Sequence, residues 1–240
     1  MEAVKATLWI YQIAFSRSIK LVAANPGIIL APLAYSVVVS LAAILFSPLW
    51  FVGGLVVTAV TAACMSSGLH LIENVVRIGK VDLNDFIKGF SVYLWEILGI
   101  AFILWIPMTL LSRVSYSAPE GPMVLLIVQL LLYVILNAVP ELIYQSRVSG
   151  LALLSASYHF IVENWIEWFL PNVLITVAAF MLLGPLRSVA VHLPFFLQFF
   201  FVASAFGLFL TFLMIFRGIL FSELNGTTRR SRVFRYKTQG

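Results

Sequence analysis

The sequence predicts an all-α integral membrane protein with six transmembrane helices, with amphipathic interfacial helices on the cytoplasmic side and with both termini in the cytoplasm. Three observations support this prediction. The 240 residues are 62% hydrophobic and 10% charged, and their mean hydropathy is +1.03, which is more apolar surface than a soluble core of this length buries. Apolar runs of spanning length alternate with short polar breaks. Lys and Arg residues fall almost entirely on one side of those runs.

Residues 1–25 are predicted to form an amphipathic helix in the membrane interface. Apolar side chains recur every three or four positions along one face, at Val4, Leu8, Tyr11, Phe15, Ile19 and Val22. Gln12, Ser16 and Lys20 fall on the opposite face, so one stripe faces acyl chains and the other faces water. The apolar stripe could also pack against the protein's own membrane helices, and the two interpretations are compatible. Because the next apolar run is long enough to span, we expect no cleavable signal peptide.

Residues 26–222 are predicted to form the six-span membrane domain. Its apolar runs lie at about 28–46, 50–72, 93–111, 122–144, 169–183 and 195–215. Within the second run, Thr58, Ala62 and Ser66 are spaced by four, and small side chains at this spacing let two helices approach closely. We expect the partner helix to belong to the same chain, with a second copy as the alternative. The single cysteine, Cys64, excludes an internal disulfide and a cysteine-based metal cluster.

Two more amphipathic helices are predicted between the spans. Asp82 can cap a short helix that carries Asp85 in its first turn, and its apolar face is formed by Leu83, Phe86, Ile87 and Phe90. The second helix covers about 146–163 and has an apolar face of Val148, Leu151, Leu154, Tyr158 and Ile161. With the first helix, they give three repeats of one plan, in which an interfacial helix precedes a span out and a span back.

The distribution of cations predicts the orientation in the membrane. Of the 15 Lys and Arg residues, only Arg113 and Arg187 fall on one side of the predicted spans. Positive residues accumulate in cytoplasmic loops. We therefore predict a multi-pass protein of the bacterial cytoplasmic membrane with both termini inside.

Two segments carry a resemblance to a known family. One is GKVDLNDFIKGFSVYLWEILG at 79–99, and the other is PELIYQSRVSGLALLSASYHFIVENWIEWF at 140–169. Both join a polar break to a short helix and then to an aromatic entry into a span. The pair resembles the membrane domain attached to some glycerophosphodiester phosphodiesterases and related stand-alone membrane proteins. The resemblance implies a topology and a bacterial membrane setting, but no phosphodiesterase chemistry, because the soluble catalytic domain and its metal-binding residues are missing from this sequence.

Asn137, Pro140 and Glu141 are the candidate polar pocket. Polar groups at the end of a membrane segment are costly unless they are paired or reach water, and proline frees a backbone carbonyl in a helix. These residues could therefore line a pocket that opens to the cytoplasm, as in a transporter. The alternative is that Glu141 reaches the interface because it lies near the end of its span.

Residues 223–240 are predicted to form a basic cytoplasmic tail. Its candidate residues for binding lipid or a partner are Arg229, Arg230, Arg232, Arg235 and Lys237, since cations near the inner leaflet attract anionic lipid. The alternative is that these cations only fix the topology. We predict no metal site, because His70 and Glu73 are better explained by pairing of Glu73 with Arg77 than by metal binding with His159 and Glu163.

The sequence contains no recognisable phosphate loop, nucleophile elbow or paired-carboxylate site. We therefore expect a non-enzymatic membrane subunit or accessory protein without a cofactor, which organises lipid or anchors partners through its cytoplasmic face. The expected partners are membrane lipids, a second copy or a cytoplasmic or membrane protein, and not nucleic acid. The alternative function is a permease, in particular the membrane part of an exporter driven by a separate ATPase.

Overall fold

The computed structural model describes residues 2–116, 119–146 and 148–239. This part of the chain is all-helical and contains no strand, so the predicted fold class is confirmed at that level. The ten α-helices are α1 Glu2–Ala24, α2 Ala31–Phe46, α3 Trp50–Arg77, α4 Leu83–Val92, α5 Leu94–Ser115, α6 Gly121–Ile135, α7 Val139–Ser146, α8 Gly150–Ala190, α9 Phe195–Leu224 and α10 Arg229–Gln239.

Membrane-spanning character is also confirmed. Within the described residues, five helical segments are long and apolar enough to cross a bilayer, namely Pro26–Arg77, Leu83–Ser115, Gly121–Ser146, Gly150–Ala190 and Phe196–Leu224. Many of their large apolar side chains point outwards; Phe51, Phe102 and Phe180 are examples. A surface of this kind is stable in contact with lipid and unstable in contact with water.

The first of these segments, Pro26–Arg77, is a hairpin of two helices. A 3₁₀ turn at Ser47–Leu49 joins α2 to α3, and Trp50 at the start of α3 has a φ of 50°, a conformation that glycine adopts more readily than other residues. The turn is tight, since a Cβ atom on Gly53 would lie 2.0 Å from the Phe46 carbonyl oxygen. The chain therefore reverses direction between α2 and α3.

Small residues in the second half of α3 let α4 pack closely against it. The Ser66 hydroxyl donates to the Gly89 carbonyl (2.6 Å) and accepts from the Tyr93 N–H (2.8 Å). A Cβ atom on Gly89 would lie 2.8 Å from Ser67 Cα, so the helices meet almost backbone to backbone. The expected partner within the same chain is confirmed at Ser66 and wrong for Thr58, whose side chain is exposed.

Helix α4 begins where the sequence predicts it. The Asp82 carboxylate accepts from the Asp85 N–H (2.9 Å), and the Asp85 carboxylate accepts from the Asp82 N–H (3.1 Å), which is a reciprocal cap. Its predicted apolar face is divided, because Phe86 stacks against α2 while Leu83 and Ile87 are 83% and 67% exposed. Two large apolar side chains of α4 therefore remain on the surface.

Helix α1 buries a different face from the one predicted. Its buried residues are Ala6, Ile10, Ala14, Ser18 and Val22. These mostly small side chains let α1 lie against α9 and α10, because close approach of helices favours small residues. Of the predicted apolar face, Val4, Leu8, Phe15 and Ile19 are exposed. Helix α1 thus has three faces, one buried, one apolar and exposed, and one polar.

Helix α8 consists of two helical segments that meet at a kink, close to the predicted boundary between the second amphipathic helix and the fifth span. Its only non-helical backbone is at Asn164 (φ −126°, ψ 20°), where the helix bends. The Asn164 amide donates to the Phe160 carbonyl (3.2 Å), which gives this residue a partner at the bend. The predicted apolar face of the first segment is wrong in part, because Leu151 and Tyr158 are exposed while Leu153 and Phe160 are buried.

The apolar core lies at one end of the bundle. Its largest fully buried side chains come from four helices and are Trp168, Tyr144, Phe216, Phe221 and Ile10. In contrast, α5 buries only Ile100 and Ser115, and α6 buries only Gly121. The buried side chains therefore concentrate at one end of the bundle, which we call the packed end.

The contact between α3 and α4 predicts a large effect of one added methyl group. We expect Gly89→Ala to lower the free energy of unfolding by about 1–3 kcal/mol, because the new Cβ atom meets backbone that must move. The control is Gly99→Ala in α5, whose Cβ atom would meet nothing within 4 Å. This control should be neutral or stabilising by up to about 1 kcal/mol. Thermal unfolding of the two purified variants in detergent measures the difference, and equal melting temperatures would contradict the packing described here.

Candidate functional site

The strongest polar interaction in the packed end joins α7 to α9. The Glu141 carboxylate is 0% exposed and pairs with Arg217, whose Nε and Nη2 lie 2.7 and 3.0 Å from the two carboxylate oxygens. This two-pronged geometry is the strongest form of the arginine–carboxylate pair. Because neither group reaches water readily, each depends on the other for its partner.

Asn137, which lies just before α7, also contacts the pair of Glu141 and Arg217. Its carbonyl accepts from Arg217 Nη2 (2.5 Å), and its side-chain oxygen accepts from the Trp168 indole N–H (2.9 Å). The Arg217 guanidinium also lies 5.0 Å from the centroid of the Trp168 ring, within range of a cation–π contact. We call Asn137, Glu141, Trp168 and Arg217 the buried clamp.

The structure therefore brings together two of the three predicted pocket residues, Asn137 and Glu141, as partners of Arg217. Their role as the lining of a pocket stays a prediction. Pro140 is the second residue of α7, where proline starts a helix instead of breaking it, and its side chain is half-buried. Two surface depressions, of about 420 and 290 Å³, are both lined by α1, and neither includes Asn137, Pro140 or Glu141. The clamp is a set of paired groups inside the protein.

Sequence reasoning missed Arg217 and Trp168 as members of this group. Arg217 entered the sequence analysis only as a cation that reports orientation, and Trp168 only as an interface marker. A signal for Arg217 was present, because an arginine flanked by long apolar runs requires an acidic partner. The sequence offers several acids, and only the fold selects Glu141, which lies 76 positions away.

A second polar group extends the packed end towards α3. Arg77 pairs with Glu73 on the same helix (2.8 Å) and donates to the Tyr144 carbonyl of α7 (2.9 Å). Glu73 also accepts a short hydrogen bond from the Tyr93 hydroxyl. The predicted pairing of Glu73 with Arg77 is confirmed, and Arg77 contacts α7 two residues before that helix ends.

No group of three or more His, Cys, Asp or Glu residues that could hold a metal ion occurs in the described ranges. His70 lies 3.5 Å from Glu73 and 3.3 Å from the Asn74 amide. His159 instead contacts the Ser155 carbonyl of its own helix (2.7 Å).

The predicted basic tail is a docked helix. Residues 229–239 form α10, which packs against α1 and whose cations mostly meet partners on other elements. The pairs are Arg229 with Glu167 (2.8 Å), Arg232 with Asn164 (3.0 Å), Arg235 with Glu223, and Lys237 with Glu2 (2.7 Å). Arg230 is exposed and makes no ion pair within the described chain. Acidic residues of α1, α8 and α9 therefore hold the helix, which explains why it does not extend freely into water.

Aromatic rings secure the same contact between α1 and α10. The Trp9 and Tyr236 rings meet edge to face with centroids 6.0 Å apart, and the Arg235 guanidinium lies 5.8 Å from the Trp9 ring centroid. Burial raises the pKa of Tyr11 to about 12, so this residue stays neutral, and its hydroxyl donates to the Glu167 carbonyl (3.0 Å). Helices α1, α8 and α10 thus form one contiguous surface at the packed end.

The polar face of α1 carries cations beside this surface. Arg17 and Lys20 line the depression of about 420 Å³ together with Gln12, Ser16 and Trp9. Arg17 is fixed there, because its Nη2 donates to the Val76 carbonyl near the end of α3 (3.1 Å).

The fold and these contacts define a class, namely an all-helical membrane protein with several of its ion pairs gathered at one packed end. Neither a protein-family model, nor a curated protein, nor a solved structure matches the chain at a significant level. The resemblance to the membrane domain attached to some glycerophosphodiester phosphodiesterases stays a prediction.

The clamp predicts a strong asymmetry between single and double substitutions. We expect Glu141→Ala to lower the free energy of unfolding by about 3–5 kcal/mol, because it leaves a guanidinium buried without a counter-charge. The double variant Glu141→Met with Arg217→Met should recover most of this loss, since two apolar side chains need no partners.

The control is Glu2→Gln, which removes the exposed pair with Lys237 and should leave the unfolding transition unchanged. Unfolding of all the variants in a denaturing detergent series gives the comparison. A single clamp variant as stable as the control, or a double variant no better than the single one, would refute the buried-pair interpretation.

Proposed function

We propose that this chain is a non-enzymatic accessory protein of the bacterial cytoplasmic membrane that organises anionic lipid at its cytoplasmic face. The observation that supports this proposal is the placement of the cations at the packed end. Most of those that hold helices together are paired with acids, whereas Lys20 and Arg230 are exposed and make no ion pair in the described part of the chain. Unneutralised cations beside a bilayer attract anionic lipid by about 1 kcal/mol each.

The faces of α1 favour the same role. Its exposed apolar stripe, which includes Leu8, Phe15 and Ile19, lies next to a polar stripe with Arg17 and Lys20. An apolar stripe beside a basic stripe is the pattern of a helix that lies in the headgroup layer. Since α1 also packs on α9 and α10, the folded protein itself presents this stripe to lipid.

Six spans with both termini in the cytoplasm are part of the proposal. The hairpin of α2 and α3 counts as two spans, because the chain reverses at Ser47–Leu49, and α5, α6, α8 and α9 supply the other four. Asn25 after α1 bonds the Gly79 carbonyl after α3 (2.9 Å), and Arg77 bonds α7, so these ends lie together. They carry most of the cations, which favours the cytoplasmic side.

The permease alternative gains no support from the clamp. It depends on Asn137 and Glu141 facing water in a pathway, and both Glu141 carboxylate oxygens are occupied by Arg217 inside the protein. A carboxylate that moves ions or protons needs access to water. The paired, buried state is the arrangement of a structural element.

The topology predicts which positions react with a membrane-impermeant maleimide in spheroplasts. In a Cys64→Ala background, Ser47→Cys and Ser188→Cys should label in intact spheroplasts. Lys80→Cys and Thr238→Cys should label only after permeabilisation. All four positions are exposed, so protection by the fold does not affect the comparison. Labelling of Ser47→Cys and Lys80→Cys from the same side would overturn the six-span arrangement.

The lipid role predicts enrichment of anionic lipid around the reconstituted protein. Vesicles that contain a small fraction of pyrene-labelled phosphatidylglycerol should show higher excimer emission with the protein than without it. The double variant Lys20→Gln with Arg230→Gln should reduce this rise, because it removes two exposed cations from the packed end.

The matched control removes the same charge from the opposite side. Arg113→Gln with Arg187→Gln changes the net charge equally but alters the side that carries few cations. Equal excimer emission from the two double variants would count against lipid organisation at the packed end.

A further inference from the structure

A groove of about 290 Å³ runs between α1, α8 and α10. One part of its wall is apolar and faces outwards, since it contains Val4, Leu8, Ile166 and Leu170, all of them at least two-fifths exposed. Because exposed apolar side chains of this protein face lipid, the groove opens towards the acyl chains. The exposed Trp165 lies next to Ile166 on α8, and such indole rings prefer the headgroup layer.

The other end of the groove is charged. Glu167, Arg229 and Arg232 line it, and Arg229 is bonded to Glu167 through Nε and Nη2. The Arg229 side chain is nevertheless 59% exposed. Two guanidinium groups against one carboxylate leave the end of the groove with a net positive charge.

Arg232 supplies the observation that points to a ligand. The residue is only 5% exposed, and its Nη2 donates to the Asn164 side-chain oxygen (3.0 Å). Its Nε, however, is buried and has no hydrogen-bond partner. Burial lowers the pKa of Arg232, and the nearby Glu167 carboxylate opposes this shift. Glu167 is already bonded to Arg229, so the two guanidinium groups share one counter-charge. An anionic oxygen at this end of the groove would supply a second negative charge.

We propose that the groove between α1, α8 and α10 binds one anionic phospholipid, with its phosphate at Arg229 and Arg232 and the start of an acyl chain against Leu8 and Leu170. This inference deepens the proposed function, because it adds one defined lipid site to the general attraction of anionic lipid. The volume of the groove accommodates the phosphate and the first carbons of a chain, and the rest of the lipid lies in the bilayer.

The two ends of the groove select this class of ligand. Free phosphate would use the arginines but gain nothing from the four apolar side chains. A zwitterionic lipid would bring its own cation towards two guanidinium groups. An anionic phospholipid satisfies both ends, because its charge neutralises the arginines and its chain covers the apolar wall.

The experiment is native mass spectrometry of the full-length protein released from detergent, with phosphatidylglycerol or phosphatidylcholine added in separate titrations. We expect one phosphatidylglycerol to remain bound, with an affinity about tenfold or more above that of phosphatidylcholine. Leu170→Trp fills the groove without a change in charge and should lower retention about tenfold. The matched control is Leu174→Trp, one turn further along α8, exposed and outside the groove, which should retain the lipid.

Arg232→Gln tests the charged end. It should remove the preference for phosphatidylglycerol, and Leu170→Trp keeps the proposal testable if the Arg232 variant does not fold. Equal retention of the two lipids by the wild type, or equal effects of the two tryptophan variants, would overturn the site. Displacement of phosphatidylglycerol by excess inorganic phosphate would also overturn it, because it would show that the apolar wall contributes nothing.

This test can fail independently of the vesicle experiment. Neither Lys20 nor Arg230 lines the groove, and the tryptophan substitutions leave every charge in place. If the wild-type protein enriches phosphatidylglycerol in vesicles but retains no bound lipid in the mass spectrometer, only the groove proposal is refuted. Absence of phosphatidylglycerol enrichment around the wild-type protein would refute the general role in organising anionic lipid.

Discussion

The pair of Glu141 and Arg217 is the constraint from which the packed end follows. Inside a protein that is surrounded by lipid, a carboxylate and a guanidinium have few possible partners other than each other. Their bond fixes α7 against α9, and through Asn137 and Trp168 it also fixes the turn before α7 and the bend of α8. The apolar core that surrounds them, including Phe216 and Phe221, then packs around a frame that polar contacts have aligned. The desolvation cost of burying two charges is offset by the two hydrogen bonds that join them.

The packed end also explains why short elements that would be unstable alone are ordered. Helix α7 has eight residues and α10 has eleven, lengths at which an isolated helix is marginal in water. Each is held by contacts to longer helices, α7 through Arg77 and Arg217 and α10 through Glu167 and Glu223. The polar residues that the membrane domain carries are therefore used mainly to attach short helices, and the groove beside α10 is a by-product of that attachment.

Much of the fold could be predicted from the sequence, because composition and periodicity are local signals. Apolar runs located the membrane helices, and the Asp82 cap located the start of α4. The faces were predicted less well, as α1 shows, since a helix with alanines on one side and large apolar residues on another can bury either in a membrane protein. The candidate pocket residues were correctly singled out as unusual, but their partner Arg217 lies far away in the chain. Pairings of this kind depend on the fold and not on spacing, as does the docking of α10.

The sparse burial of α5 and α6 has a consequence for how the protein responds to the surrounding bilayer. Since few of their side chains are buried, the tilt of these two helices can respond to hydrophobic mismatch more readily than that of the helices at the packed end. A thicker hydrocarbon layer favours a smaller tilt of these helices and a thinner layer favours a larger one, while the packed end keeps its structure. The packed end is thus the stiff part of the molecule, and α5 and α6 are its compliant part.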